Sequence, residues 1–120
     1  MPVTAMDLVA AAKRQIHEVS PEEASALVGK ARVLDVREPA EYAAGKLPGA
    51  VNIPRGVLEF QIGNHPAFAD AQNEEILVYC LSGGRSALAV ETLQKLGYDK
   101  AVSLAGGFKA WSEAGRPVEA

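Results

Sequence analysis

The only cysteine of this 120-residue chain, Cys80, stands where an apolar run meets a glycine-rich loop. The run Ile76–Tyr79 is typical of a buried strand, and a helical pattern begins near Arg85. Gly83 and Gly84 allow the backbone N–H groups of the loop to turn inward, where a side chain would clash. Amides of such a loop and of a first helical turn lack intrahelical acceptors, so we expect them to converge on the Cys80 sulfur.

This spacing predicts a reactive thiol. Helix N-termini and neighbouring cations stabilise a thiolate, and Arg85 supplies the cation if its side chain folds over the loop. The same amides would hold the anionic outer sulfur of a persulfide on Cys80. The alternative is a buried structural cysteine, which is the commoner role of a lone cysteine. The Gly-Gly-Arg sequence at the head of a helix favours the reactive thiol.

Composition narrows the class of protein. A length of 120 residues with 48% hydrophobic and 22% charged residues indicates a single globular domain with one core. A net charge of −3 without a basic stripe argues against nucleic-acid or anionic-membrane binding. One cysteine cannot form an internal disulfide, and no stretch resembles a membrane span or a secretory signal. We therefore expect a cytoplasmic protein.

Strand-like and helix-like segments alternate along the chain. The strand-like segments are Ile16–Val19, Val33–Val36, Ala50–Ile53, Ile76–Tyr79 and Ala101–Leu104. This alternation predicts an α/β fold in three layers, with a mostly parallel five-stranded sheet and helices on both faces. Because ligands of such folds bind at the carboxyl ends of the strands, Cys80 lies where a site is expected.

Residues 1–14 are predicted to form an N-terminal helical extension to a domain made of residues 15–120. Thr4 and Asp7 are close to a capping-box arrangement at the start of this helix. The residues expected on its apolar face are Ala5, Leu8, Val9 and Ala12. Packing on the domain is preferred over a dimer contact or a frayed terminus.

Several stretches resemble, in the right order, the signatures of one family, the rhodanese-like sulfurtransferases. They are Val33–Tyr42, Gly45–Pro54, Cys80–Ser86, Leu104–Gly107 with Trp111, and Gly115–Val118. The resemblance covers about residues 15–118, and it implies a single-domain member with the rhodanese-like fold.

The resemblance implies a mechanism. Cys80 would be the nucleophile, taking a sulfane sulfur from a small anion such as thiosulfate, or from a persulfide, and passing it to a thiol or cyanide. The loop amides would hold the Cys80 persulfide, and the guanidinium would attract the anionic donor. The substrate-binding residues implied are Leu81, Ser82, Gly83, Gly84, Arg85 and Ser86. No metal and no organic cofactor is expected, and a protein thiol is a further candidate acceptor.

Other functions remain open on this fold. One is a sulfur carrier or relay with little free turnover, docking through residues 1–14 or Leu81. Another is a phosphatase or arsenate reductase, but the related enzymes of those classes have five residues between the cysteine and the arginine. Four residues separate Cys80 from Arg85, and the smaller ring suits one sulfur atom better than a tetrahedral oxyanion. A non-catalytic module is the third, and the presence of Cys80 argues against it.

Three further residues are candidate supporting residues. Asp35 and Arg37 follow a strand, which suits a buried ion pair or a turn anchor. Glu41 stands where two-domain members tend to carry a substrate-binding arginine, so we expect weakened thiosulfate binding and a charge-assisted hydrogen bond to Arg85. A protein-bound persulfide or glutathione persulfide is therefore an equally good donor. Hydrogen bonds to the loop are expected from the two hydroxyls that follow Cys80, those of Ser82 and Ser86.

Overall fold

The computed structural model describes residues 2–120, which form one five-stranded sheet with helices on both faces. The strands are β1 (Glu18–Val19), β2 (Arg32–Asp35), β3 (Val51–Asn52), β4 (Ile76–Tyr79) and β5 (Ala101–Leu104). The helices are α1 (Ala5–Lys13), α2 (Pro21–Leu27), α3 (Pro39–Ala44), α4 (Leu58–Gln61), α5 (Gly84–Lys95) and α6 (Gly107–Glu113), with 3₁₀ turns at Arg55–Val57 and Ile62–Asn64. The strand order is β1-β5-β4-β2-β3, and each neighbouring pair is parallel. The predicted α/β architecture is confirmed.

The central strand β4 is buried on both faces, and its side chains alternate between two cores. Ile76 and Val78 lie in a core that includes buried residues of α4 and α5. Leu77 and Tyr79 lie in a second core, which contains Trp111 of α6. An unbroken apolar run is what a strand covered on both faces requires. This strand delivers Cys80 to the carboxyl edge of the sheet.

The two outer strands are shorter than the sequence predicted. Predicted Ile16–Val19 is reduced to Glu18–Val19, and predicted Ala50–Ile53 is reduced to Val51–Asn52. Each of these strands pairs with only one neighbour, β5 or β2 respectively. An edge strand ends where it no longer pairs with its one neighbouring strand. Its length therefore depends on that neighbour and cannot be predicted from its own residues.

The capping boxes that begin α1 and α2 are present. Thr4 Oγ1 accepts from the Asp7 amide at 3.1 Å, and the Thr4 amide donates to Asp7 Oδ2 at 2.9 Å. Ser20 and Glu23 make the same reciprocal pair at the start of α2. These side chains satisfy amides that have no intrahelical acceptor, so both helix starts follow from local sequence.

Helix α1 packs on α5, but through a narrower face than predicted. Val9 and Ala12 are buried in a cluster with Ala87 of α5, whereas Ala5 and Leu8 are exposed. A Cβ atom at Gly84, the first residue of α5, would lie 3.6 Å from a Val9 methyl. The first turn of α1 therefore extends beyond the first residue of α5. Ala5 and Leu8 have no part of α5 beside them to pack against, and they stay exposed. Among residues 2–120, no helix has the length and apolar character needed to cross a membrane.

Candidate active site

Cys80 follows β4 directly and is 1% exposed. Gly83, the N-cap of α5, has a φ of 103°, a left-handed conformation that favours glycine. Its amide donates to Cys80 Sγ at 3.1 Å, and the Ser86 amide, one helical turn on, donates at 3.3 Å. The sulfur thus sits at the N-terminus of a 12-residue helix and accepts two backbone hydrogen bonds.

The sequence predicted that the amides of the loop converge on the Cys80 sulfur, but only those of Gly83 and Ser86 donate to it. The amides of Leu81, Ser82, Gly84 and Arg85 donate to no acceptor within residues 2–120. Unpaired amides at a helix N-terminus attract an anion. The loop therefore holds the sulfur with two donors and has four more amides that could donate to a bound group.

The start of α6 supports the loop from behind. The Phe108 amide donates to the Cys80 carbonyl at 2.8 Å, and the Lys109 amide donates to the Leu81 carbonyl at 3.0 Å. Gly107 has a φ of 61°, and a Cβ atom there would lie 2.6 Å from Cys80 O and 2.5 Å from Leu81 O. These contacts fix the backbone of the cysteine, a role for Gly107 that the sequence did not predict.

Arg85 does not fold freely over the loop, because Glu41 holds it. Its Nη1 and Nη2 donate to the two carboxylate oxygens at 2.8 and 3.1 Å. These hydrogen bonds lower the pKa of Glu41 to about 2, although burial acts in the opposite direction. The Glu41 hydrogen bond is also the main reason that the pKa of Arg85 is raised, with a smaller effect from Cys80. The predicted contact is present, and it offsets the positive charge beside the sulfur.

Asp35 and Arg37 form the buried ion pair that their positions suggested. Arg37 is 3% exposed, and its Nε and Nη2 donate to the Asp35 carboxylate at 3.0 and 2.8 Å. The Tyr79 hydroxyl donates to Asp35 Oδ2 at 2.9 Å. Burial acts to lower the pKa of Arg37, but hydrogen bonding and charge attraction from Asp35 outweigh it, and that pKa is raised. Burial and the nearby Asp35 charge raise the pKa of Tyr79.

This ion pair lies behind the cysteine loop and makes no hydrogen bond to the sulfur. The Arg37 guanidinium stacks 4.4 Å from the centre of the Phe108 ring. Phe108 is the residue whose amide holds the Cys80 carbonyl. Asp35 and Arg37 therefore connect the end of β2 to the support of the loop and play a structural part.

Two buried hydroxyls continue from the sulfur into the core. Cys80 Sγ lies 3.5 Å from Ser86 Oγ, which lies 2.8 Å from Ser103 Oγ on β5, and both serines are fully buried. Ser86 was expected to bond to the loop, but Ser103 was missed. The available signal was a polar side chain on the same face of β5 as the buried Ala101.

Two loop residues point away from the sulfur. Ser82 is exposed, and the predicted hydrogen bond from its hydroxyl is absent within the described residues. Leu81 is 44% exposed and contributes its carbonyl to the contact with α6. The sequence could locate the loop but not the direction of each side chain.

The fold and the cysteine loop define a rhodanese-like protein. The chain belongs to the rhodanese-like sulfurtransferase family, since the profile of the Rhodanese-like domain matches residues 20–114. It is 37% identical over 103 residues to the human "Thiosulfate:glutathione sulfurtransferase", covering 78% of this chain and 90% of that protein. It is also 36% identical over 80 residues to the "Putative sulfur carrier protein YrkF" of Bacillus subtilis, covering 67% of this chain and 40% of that protein.

A solved structure extends the likeness to nearly the whole chain. RPA3614 from Rhodopseudomonas palustris, a protein of unknown function described as a possible tyrosine phosphatase, superposes with a TM-score of 0.85 at 33% identity. The match covers 99% of both chains. Its coverage therefore includes α1, which lies outside the matched domain profile.

Proposed function

We propose that this protein is a sulfurtransferase in which Cys80 carries the transferred sulfur as a persulfide. The observation that carries the proposal is the environment of the sulfur: two amides donate to Sγ, and four more amides of the same loop have no acceptor among the described residues. Such donors stabilise an anionic sulfur in both the thiolate and the persulfide state. No redox partner is required, because both steps of the sulfur transfer are displacements.

In the first step the Cys80 thiolate attacks the outer sulfur of the donor. A bond forms between Sγ and that sulfur, and the S–S bond of the donor breaks. The bonding electron pair leaves with the remainder of the donor, which is sulfite from thiosulfate or a thiolate from a persulfide. The product on the enzyme is a Cys80 persulfide anion, and the unpaired amides would bind its outer sulfur.

In the second step a thiolate or cyanide attacks the outer sulfur of the Cys80 persulfide. The new bond forms to the acceptor, the bond to Sγ breaks, and its electron pair returns to the Cys80 thiolate. The products are a new persulfide or thiocyanate. Because Cys80 is almost completely buried, we expect only a slender terminal group, such as a single sulfur atom or cyanide, to reach it.

The donor class follows from the charge beside the loop. Arg85 is bound by Glu41 through two hydrogen bonds, so an anionic donor must compete with a carboxylate for the guanidinium. Because thiosulfate is a dianion, its binding is weakened most by the Glu41 carboxylate. A persulfide presents a terminal sulfur with less charge, so we infer that a low-molecular-weight or protein persulfide is used more efficiently than thiosulfate.

A sulfur carrier is the second candidate function, favoured by the YrkF likeness and by the exposed apolar residues of α1 and the loop. A carrier would dock a partner protein whose cysteine must reach Cys80. Met6 is 70% exposed and Leu8 is 53% exposed, while Val9 packs inward beside Gly84. Changing Met6 and Leu8 to serine removes the exposed surface without disturbing the packed one. The carrier function predicts slower transfer to a protein partner with thiosulfate turnover unchanged.

Phosphatase activity is disfavoured by the size of the loop. Four residues separate Cys80 from Arg85, and the guanidinium that would bind a phosphate is already paired with Glu41. Hydrolysis of an aryl phosphate is therefore expected to be undetectable under conditions in which sulfur is transferred.

The test is the formation of thiocyanate from cyanide with thiosulfate and with glutathione persulfide as donors. We expect turnover with both donors, higher with the persulfide, and its loss in Cys80→Ser. The exposed Ser112→Ala variant is a control that should behave as the wild type. Thiocyanate formation that survives Cys80→Ser would refute the role of Cys80, and phosphate release without sulfur transfer would replace the proposal.

A further inference from the structure

We propose that Ser103 is a positioning residue, which holds the Ser86 hydroxyl so that it donates its proton to the anionic Cys80 sulfur. The proposal rests on the proposed function, because it concerns the same sulfur. Ser103 lies on β5, outside the catalytic loop, and its backbone is fixed by parallel pairing with Val78 of β4. Its side chain is nevertheless only one hydroxyl removed from Sγ.

The argument starts from the number of protons and acceptors in this pocket. When Cys80 is a thiol, its S–H donates to Ser86 Oγ, and the Ser86 hydroxyl donates to Ser103 Oγ. The Ser103 proton then has no acceptor, since its hydroxyl has no other hydrogen-bond partner among residues 2–120. Both serines are fully buried, so an unused donor is costly there.

When Cys80 is a thiolate or a persulfide, the direction of the chain reverses. Ser103 donates to Ser86 Oγ, Ser86 donates to the anionic sulfur, and each hydroxyl proton has an acceptor. The hydroxyl pair therefore stabilises the anionic sulfur relative to the thiol, in addition to the two amides. Ser86 alone could point its proton elsewhere, and the 2.8 Å contact with Ser103 removes that freedom.

Charged groups surround the sulfur but do not replace this contact. They are Arg85 at the start of α5, Glu41 on α3, and the Asp35–Arg37 pair at the end of β2. None of them hydrogen-bonds to the hydroxyl of Ser86 or Ser103 in the described residues. A change in the reactivity of Cys80 on loss of the Ser103 hydroxyl would therefore report the hydroxyl pair.

The experiment measures the rate of alkylation of Cys80 by iodoacetamide as a function of pH. The protein has no other cysteine, and the readout does not depend on sulfur transfer, so this inference and the proposed function can fail separately. We expect Ser103→Ala to slow alkylation at neutral pH by about threefold to tenfold, the size of one lost hydrogen bond between two neutral hydroxyl groups. The midpoint of the pH profile should rise by about half a pH unit to one unit.

Two comparisons separate positioning from a general structural effect. Val102→Ala, the neighbouring β5 residue in the opposite core, should lower stability and leave the alkylation profile unchanged. In a Ser86→Ala background, Ser103→Ala should cause no further change, because Ser103 acts through Ser86. An effect of equal size in that background would overturn the proposal, and so would a wild-type profile for Ser103→Ala.

A conservative variant covers the case in which Ser103→Ala does not fold. Ser103→Thr keeps the hydroxyl and adds a methyl group in a fully buried place, so it should be less stable. Its alkylation profile should match the wild type. A Ser103→Thr protein that is folded but alkylates with a raised midpoint would contradict the proposed role of the hydroxyl.

Discussion

Replacing Glu41 by glutamine should turn the protein into a better user of thiosulfate. Glutamine keeps the shape of the side chain and one acceptor for Arg85, but it removes the charge that now holds both guanidinium nitrogens at 2.8 and 3.1 Å. Both partners are about one-third exposed, at 37% for Arg85 and 32% for Glu41, so a small anion in solution can reach the pair. Arg85 then becomes available to the donor.

The size of the effect follows from the charge that is removed. A carboxylate on one side of a guanidinium lies roughly 6 Å from an anion bound on the other side. With a dielectric constant of about 80, the repulsion between a unit charge and a dianion at that separation is about 1.4 kcal/mol. We therefore expect kcat/KM for thiosulfate to rise about tenfold in Glu41→Gln, chiefly through a lower KM. Added salt should reduce the gain.

The assay is initial-rate thiocyanate formation over a range of thiosulfate concentrations. Glu113→Gln removes a charge from the far end of α6 and is the matched control, expected to change kcat/KM less than twofold. The rate of alkylation by neutral iodoacetamide should change little in Glu41→Gln. A kcat/KM for thiosulfate that is unchanged or lower in Glu41→Gln would refute the reasoning that this carboxylate competes with the donor.

Other variants test the scaffold. The Glu41 pKa is lowered on folding, so its stabilisation is present above pH 4.5 and lost as the pH falls toward 2. Because the pair is partly exposed, the free energy of unfolding in urea should be only about 1 kcal/mol higher for the wild type than for Glu41→Gln at neutral pH. This difference should disappear as the pH approaches about 2. Gly107→Ala should destabilise the protein by about 3 kcal/mol and abolish thiocyanate formation, because the Cβ atom of the alanine would clash with the carbonyl oxygens of Cys80 and Leu81. Gly97→Ala, at a φ of 99° in open space, should cost only about 1 kcal/mol and keep activity. Asp35→Asn should cost about 3–5 kcal/mol in urea unfolding because it leaves a buried guanidinium unpaired, whereas Glu74→Gln at an exposed ion pair should cost less than about 1 kcal/mol.

The local sequence was sufficient to predict those features of the fold and the site that depend on neighbouring residues. The apolar run of β4, the glycines after Cys80 and the helical pattern after them located the cysteine at the carboxyl edge of the sheet. The capping residue Thr4 marked the start of α1 in the same way. Contact between Glu41 and Arg85 is long-range, and its prediction depended on the resemblance to a family.

The features that sequence reasoning missed depend on which elements meet in space. Ser103 matters because β5 lies beside β4 and brings its hydroxyl to Ser86. Gly107 matters because α6 begins against the carbonyls of the cysteine loop. The exposure of Leu8 depends on where α5 begins relative to α1. None of these relations can be derived from residue spacing alone.

The most direct test of the central claim is the mass of the intact protein after exposure to thiosulfate labelled in its outer sulfur. The account predicts that one labelled sulfur atom is added, that it maps to the peptide containing Cys80, and that cyanide removes it as labelled thiocyanate. Cys80→Ser should take up no label. A wild-type protein that remains unlabelled with thiosulfate and with glutathione persulfide, while its cysteine is free to react with iodoacetamide, would contradict the account.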